Sequence, residues 1–293
     1  MKAWLKLLRV KHWLKNLLVL FPVVFAGQLA QPAALIDGLA AFVAFSLATS
    51  GVYIFNDMRD AESDRLHPVK KYRPIASGAV SLRAASVVAC LTMVASVLVT
   101  VAFAQEIALS LIILVLYIGL NVAYSLGAKN VPVLDVAILS AGFLLRVLYG
   151  GAFCSIAVSS WLFLTVLALS VFLSLGKRRG EIDRYGSAAR VSLSRYPKAF
   201  LDKNMYVFLG LGLAFYSLWI FERMGEPYLV ADGSVWALVI SIPLAMFACI
   251  RYSFDIERDD SDGDPVSVVL GDCPLLVLMA LWAVVIVTGV SFL

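Results

Sequence analysis

Asn56, Asp57, Asp60 and Asp64 are the residues in this chain whose types and spacing most directly suggest chemistry. On a helix, Asn56, Asp60 and Asp64 recur every four residues, and Asp57, Asp60 and Asp64 recur at three and four. Both sets therefore share one face. Like charges so placed repel by roughly 0.2–0.5 kcal/mol per pair, so the face calls for compensation. A hard divalent cation supplies it. Mg²⁺ takes one or two carboxylates, keeps several waters and completes its octahedron with substrate phosphate oxygens. Asp60, Asp57 and Asp64 are thus the expected catalytic carboxylates and, with Asn56, the expected Mg²⁺ ligands. Tyr53, one turn earlier, can hydrogen-bond the same ligand or serve as an interfacial aromatic.

Bases follow the acids within a few residues. After His67 and Pro68, where the helix must break, come Lys70, Lys71 and Arg73, then Pro74 and the small residues Ser77 and Gly78. Acids that hold a metal, followed by bases that reach phosphate oxygens, suit a diphosphate bound as its Mg²⁺ complex. The competing use of a basic loop beside a membrane is headgroup contact. His67 is a further phosphate-contact candidate or simply a turn residue. A second basic cluster, Lys177, Arg178 and Arg179, precedes Gly180 and Glu181.

Polar residues within apolar stretches add to the set. Tyr117, Asn121 and Tyr124 share a helical face that leads to Ser125 and Lys129. Asp135 opens an apolar span, and Arg146 lies on the same face about 16 Å deeper. An ionisable side chain at that depth costs at least ~2.5 kcal/mol, which makes Arg146 a functional candidate unless an acid of another span pairs with it. Near the start, Lys11, Lys15 and Asn16 surround Trp13 on a basic amphipathic segment, an arrangement that also suits interfacial anchoring.

The elements that must position these groups are membrane spans. The 293 residues are 61% hydrophobic and 15% charged, far from the composition of a soluble domain. Windows of about 20 residues give an all-α polytopic protein with about nine spans: 17–36, 38–57, 82–104, 106–126, 133–153, 159–176, 204–221, 234–252 and 274–293. Of the 24 Lys and Arg residues, 22 fall in alternate connections, Arg223 alone falls in the others, and Arg146 lies within a span. This asymmetry predicts a cytoplasmic N-terminus, an outer C-terminus and a site at the cytoplasmic mouth of a cell-membrane protein. The basic balance therefore reflects topology, and nothing points to nucleic acid. Cys90, Cys154, Cys249 and Cys273 have no metal-ligand spacing, and the basic start has no small-x-small cleavage site of a signal peptide.

The motif N-D-x-x-D-x-x-x-D closing a second span resembles that of the UbiA-type intramembrane prenyltransferase superfamily, whose members hold a diphosphate with Mg²⁺. The longer string NDMRDAESDRLHPVKKYRPIASG (56–78) is similar to the decaprenyl-phosphate phosphoribosyltransferase branch. So are RVKHWLKN (9–16), AYSLGAKNVPVLDV (123–136), GFLLR (142–146), LGKRRGEI (175–182) and DGDPVSVVLGDCPL (262–275). The resemblance covers nearly the whole chain. It implies a UbiA-like bundle forming one catalytic domain over 1–293, with two related four-span halves, about 17–126 and 133–252, and a ninth span at 274–293.

The resemblance also implies a substrate. Superfamily prenyltransferases carry a second acidic motif at the end of span 6, where this chain has Lys177, Arg178 and Arg179. One acidic and one basic patch can hold a diphosphate–Mg²⁺ group and a separate phosphate, as in phosphoribosyl diphosphate (PRPP). A polyprenyl phosphate acceptor in the bilayer adds another anion. Lys15, with Lys11 and Asn16 beside it, is implied as a phosphate contact. Tyr53, Lys70, Arg73, Tyr124, Lys129, Asp135, Arg146 and Lys177–Arg179 complete the expected substrate-binding set. The implied reaction transfers 5-phosphoribose to a polyprenyl phosphate, a precursor step towards decaprenyl-phosphate arabinose. A prenyltransferase moving a prenyl group from a prenyl diphosphate to an aromatic or other acceptor, or a non-catalytic transporter or lipid carrier, are the alternatives; homo-oligomer formation stays open. The acidic loop 255–264, in which Arg258 takes the place of a first calcium ligand, reads as a lid or a solvated loop.

Overall fold

A computed structural model describes residues 2–66, 68–185, 193–225, 234–257 and 264–290. His67 and residues 258–263, on which two of the expectations fell, lie outside them. Among the described residues there is no strand, as expected where lipid leaves backbone groups no partner but their own chain. Within those residues eight helices are long and apolar enough to cross a membrane: α1 (Pro32–Arg59), α2 (Leu82–Phe103), α3 (Ile107–Leu126), α4 (Leu134–Cys154), α5 (Ser160–Tyr185), α6 (Lys198–Met224), α7 (Ser234–Ile256) and α8 (Cys273–Val290). The chain is a multi-pass membrane protein. Its four cysteines are free thiols.

The first expected span, 17–36, is not one helix. Val10–Leu20 is a 3₁₀ segment, Phe21–Phe25 a short α-helix and Gln28–Ala30 a 3₁₀ turn, while Pro32 already begins α1. The broken segment runs antiparallel to α1, from Arg9 beside Asp57 to Val23 beside Gly38. A 3₁₀ run of 11 residues is unusually long, but at about 2.0 Å per residue it covers more depth than an α-helix of equal length. Side-chain bonds hold it there. Asn16 Nδ2 donates to Ser46 Oγ at 3.0 Å and Thr49 Oγ1 at 3.1 Å, and Ser50 Oγ donates to the Leu8 carbonyl at 2.8 Å. On its other side the segment meets α4 at Gly150, where an added Cβ would stand 1.9 Å from the Val19 carbonyl oxygen. Only glycine permits that approach.

Helices α1, α4 and α5 form the interior, with 50–61% of their apolar stretches buried, against 17–22% for α2, α3, α7 and α8. Phe45, Tyr117, Tyr149 and Phe153 fill the contact among α1, α3 and α4. Phe25, Trp219 and Ile286 tie the N-terminal segment to α6 and α8.

Candidate active site

A cavity of about 580 Å³ opens among the C-terminal ends of α1, α3 and α5, the first half of α4 and the N-terminal segment. Its wall on the α1 side carries Tyr53, Asn56, Asp57, Asp60 and Asp64. Residues Ala61–Leu66 form a short helix that continues α1. The Asp60 N–H reaches the Asn56 carbonyl at 2.9 Å, and the Asp64 N–H reaches that of Asp60 at 2.8 Å. Helical periodicity therefore survives the junction, and the expected single face forms.

The carboxylates on that face are not equivalent. Asp57 is buried, and its Oδ1 accepts from Arg9 Nη2 at 2.5 Å and Arg73 Nη1 at 3.0 Å. Asp64, also buried, accepts from the same Arg73 nitrogen at 2.7 Å. Asp60, whose side chain is 37% exposed, has among the described residues only the Lys129 ammonium at 3.8 Å as a charged partner. The compensation assigned above to a divalent ion alone is thus supplied in large part by Arg9, Arg73 and Lys129. Arg9 had no place in the expected set. It lies 48 residues from Asp57 in sequence, with its backbone in the left-handed region at φ 51°, and no spacing rule links the two. Its guanidinium also stacks 4.7 Å above the Tyr53 ring.

The donor set fits Mg²⁺. Asn56 and Asp60 present hard oxygens to the cavity, with Asp57 and Asp64 beside them. Among the described residues no three carboxylates, imidazoles or thiols converge on one point, so an ion held here would take most of its coordination sphere from water and phosphate. Asn56 Oδ1 is oriented by a hydrogen bond from Ser125 Oγ.

Cations and aromatic residues form the rest of the wall. Lys15, Lys70, Arg73, Lys129, Arg146 and Lys177 line the cavity together with Tyr117, Asn121 and Tyr124. Arg146 lies about 18 Å along α4 from Leu134. It is buried, and its partners among the described residues are all neutral: Asn16 Oδ1 at 2.9 Å, the Gly142 carbonyl and Tyr117 OH at 3.2 Å, with the rings of Phe45, Tyr117 and Phe143 within 5.7 Å. The ion pair weighed above for Arg146 is not what holds it. Tyr117 and Asn121, left out of the expected contact set, share the helical face that already pointed to them.

The Lys177–Arg179 cluster divides. Lys177 lines the cavity, but Arg178 and Arg179 do not. Arg178 is fully buried and bound to Asp135 at 2.9 Å and to Glu181, and it donates to Tyr124 OH at 2.9 Å. Arg179 is paired with Asp183, Asp202 and Glu257. Asp135 in turn accepts from Tyr196 OH at 2.6 Å. These three expected substrate contacts are therefore framework ions. Burial, with the hydrogen bond to Asp135, pushes the Tyr196 hydroxyl above the usual phenol range, so it stays a donor. The same hydroxyl accepts from the N–H of Val133. Val133 is held at φ 69°, a sparsely populated conformation that costs about 1–3 kcal/mol; this latch fixes the loop bearing Lys129. Asn16 stands behind Arg146, and the exposed Lys11 lies outside the cavity.

A membrane bundle of helices that opens a cavity lined by carboxylates and cations at one end has the architecture of an intramembrane transferase. The model of the UbiA prenyltransferase family matches residues 19–284, and the chain belongs to that family. Two relatives named decaprenyl-phosphate phosphoribosyltransferase are each 35% identical. The one from Mycolicibacterium smegmatis aligns over 98% of this chain and 92% of its own length, and that from Corynebacterium glutamicum over 98% and 86%. The bundle is also similar to the solved structure of a UbiA homolog from Archaeoglobus fulgidus bound to GPP and Mg²⁺. That match has a TM-score of 0.70 at 18% identity, covers 99% of both chains, and is a likeness of fold.

Proposed function

We propose that this enzyme transfers 5-phosphoribose from PRPP to a polyprenyl phosphate, releasing diphosphate. The observation that carries the reading is the cavity itself. The carboxylate face of α1 and the ammonium of Lys177 border one space, with Arg146 at its inner end, where its partners among the described residues are neutral. A substrate with a metal-bound diphosphate at one end and a phosphate at the other matches that distribution of charge. The relatives' names point to the same substrates.

Mg²⁺ bound at Asn56 and Asp60 would act as a Lewis acid and template for the leaving diphosphate. The chain's own residues bind and orient. Arg73 and Lys70 lie beside the acidic face, where they offset charge on the departing diphosphate. Lys15, Lys177 and Arg146 hold the remaining phosphates so that the acceptor oxygen approaches C1 opposite the leaving group, giving inversion. The C1–O bond to diphosphate breaks as the new C1–O bond to the acceptor forms. No general base is needed, because a phosphate monoester with a second pKa of about 6 is already an anion at neutral pH. The prenyl tail stays in lipid, retaining ~0.8 kcal/mol per buried CH₂.

We place the cavity mouth on the cytoplasmic side of the cell membrane, on the distribution of Lys and Arg, and treat residues 1–293 as one catalytic domain, since residues from Arg9 to Lys177 share the cavity. Prenyl transfer to an aromatic acceptor fits less well, because the end of α5 offers Lys177 where a second acidic motif would be needed. Purified protein with Mg²⁺, labelled PRPP and polyprenyl phosphate should yield lipid-extractable label. Absence of label, with activity on a prenyl diphosphate instead, would overturn the reading.

A further inference from the structure

Asp264 begins the short helix Pro265–Gly271 and uses its two oxygens differently. Oδ2 caps the helix, accepting from the Val266 N–H at 3.2 Å and from Ser267 Oγ at 3.4 Å. Oδ1 accepts from Lys15 Nζ at 3.0 Å and lies 3.7 Å from Lys177 Nζ. Both lysines line the cavity, whereas Asp264 does not. The carboxylate thus touches the two ammonium groups without being part of the cavity surface. Asp264 and Lys15 are 249 positions apart in the chain.

We propose that Asp264 is a positioning residue that gathers the Lys15 and Lys177 ammonium groups around one oxygen, so that the two act together on a single phosphate of the substrate. This rests on the reading that the cavity takes phosphorylated substrates. Two ammonium groups repel, and flexible lysine stems let them separate. A shared counter-ion opposes that separation, and each ammonium, with three donors, keeps two for the cavity. Burial pushes the Asp264 carboxyl up, but Lys15 and Lys177 outweigh it and hold the group below the usual carboxylate range. The counter-ion therefore stays charged at physiological pH. Since Oδ2 caps the helix, the last third of the chain sets the geometry of a cavity that it does not line.

Asp264→Asn tests this cleanly, because asparagine caps helices as well as aspartate does while removing the charge. The full-length protein in detergent is titrated with ribose 5-phosphate by calorimetry, since the 5-phosphate is the group that Lys15 and Lys177 would hold, and assayed for PRPP turnover. Asp264→Asn should weaken ribose 5-phosphate binding and raise KM for PRPP about tenfold, the effect of losing one charge-assisted hydrogen bond, with kcat within about twofold and the unfolding temperature unchanged. Asp264→Glu should restore most of the binding. In a Lys177→Met background, Asp264→Asn should add little further loss. Unchanged ribose 5-phosphate binding in Asp264→Asn, or full multiplication of the two losses, would overturn the proposal. If the wild type binds ribose 5-phosphate but does not use PRPP, the substrate assignment fails, and the calorimetric comparison still decides the role of Asp264.

Discussion

Lys177 and Arg178 are consecutive residues with different tasks. The ammonium borders the cavity, while the guanidinium is sealed against Asp135, Glu181 and Tyr124. Lys177→Met should raise KM for PRPP about tenfold and leave the unfolding temperature near wild type, because it removes the proposed phosphate contact, one charge-assisted hydrogen bond, and at most one partly buried ion pair. Arg178→Met should instead destabilise the fold by about 3–5 kcal/mol, since Asp135 would remain buried without its cation. Thermal unfolding and steady-state kinetics on the pair separate the roles; equal unfolding temperatures would contradict the assignment. Asp60 is the most open carboxylate of the acidic face. Asp60→Asn should lower kcat by about 10²–10³, as loss of one group stabilising developing charge does elsewhere, without unfolding the protein. The face was legible because one helical period aligns four residues. Arg9 was not, because an ion pair between residues far apart in sequence depends on how the N-terminal segment folds back.

At the scale of elements, the N-terminal segment is the piece that hydropathy describes least well. An apolar window reports that residues leave water, not whether they do so as one helix. Here Arg9 in the left-handed region, Pro22 and Gly27 break the path, and hydrogen bonds from Asn16 and Ser50 hold the 3₁₀ run against α1. Asn16 also orients Arg146, so the segment sets the inner end of the cavity as well as contributing Lys15. Gly150→Ala should therefore displace Val19 and the whole run. We expect destabilisation of at least about 3 kcal/mol, at the upper end for an overpacked core, together with reduced activity. An alanine at Gly119, where nothing lies within 4 Å of the added Cβ, serves as the control. Equal unfolding temperatures for the two variants would refute the close packing.

For the whole molecule, the acidic face is already neutralised by bases from three separate stretches: Arg9, Arg73 and Lys129. Folding should accordingly not require the metal. Chelation with EDTA should abolish transfer while moving the unfolding temperature by no more than about 2 °C, because an ion that does not bind tightly to the folded state contributes little to its stability; Mg²⁺ should restore activity. A large fall in unfolding temperature on chelation would show the ion to be structural. Composition and 3.6-residue periodicity alone determined that this is a helical membrane protein, which face of α1 carries the acids, and that the bases gather in alternate connections, since each is a property of residues close together in the chain. Only the tertiary structure decided that Lys177 serves the cavity while Arg178 and Arg179 serve the frame, that Arg146 has neutral partners, and that Asp264 reaches Lys15. Those outcomes depend on which oxygen lies within about 3–4 Å of which cation, and at that range the packing of distant helices, rather than sequence spacing, sets the distance.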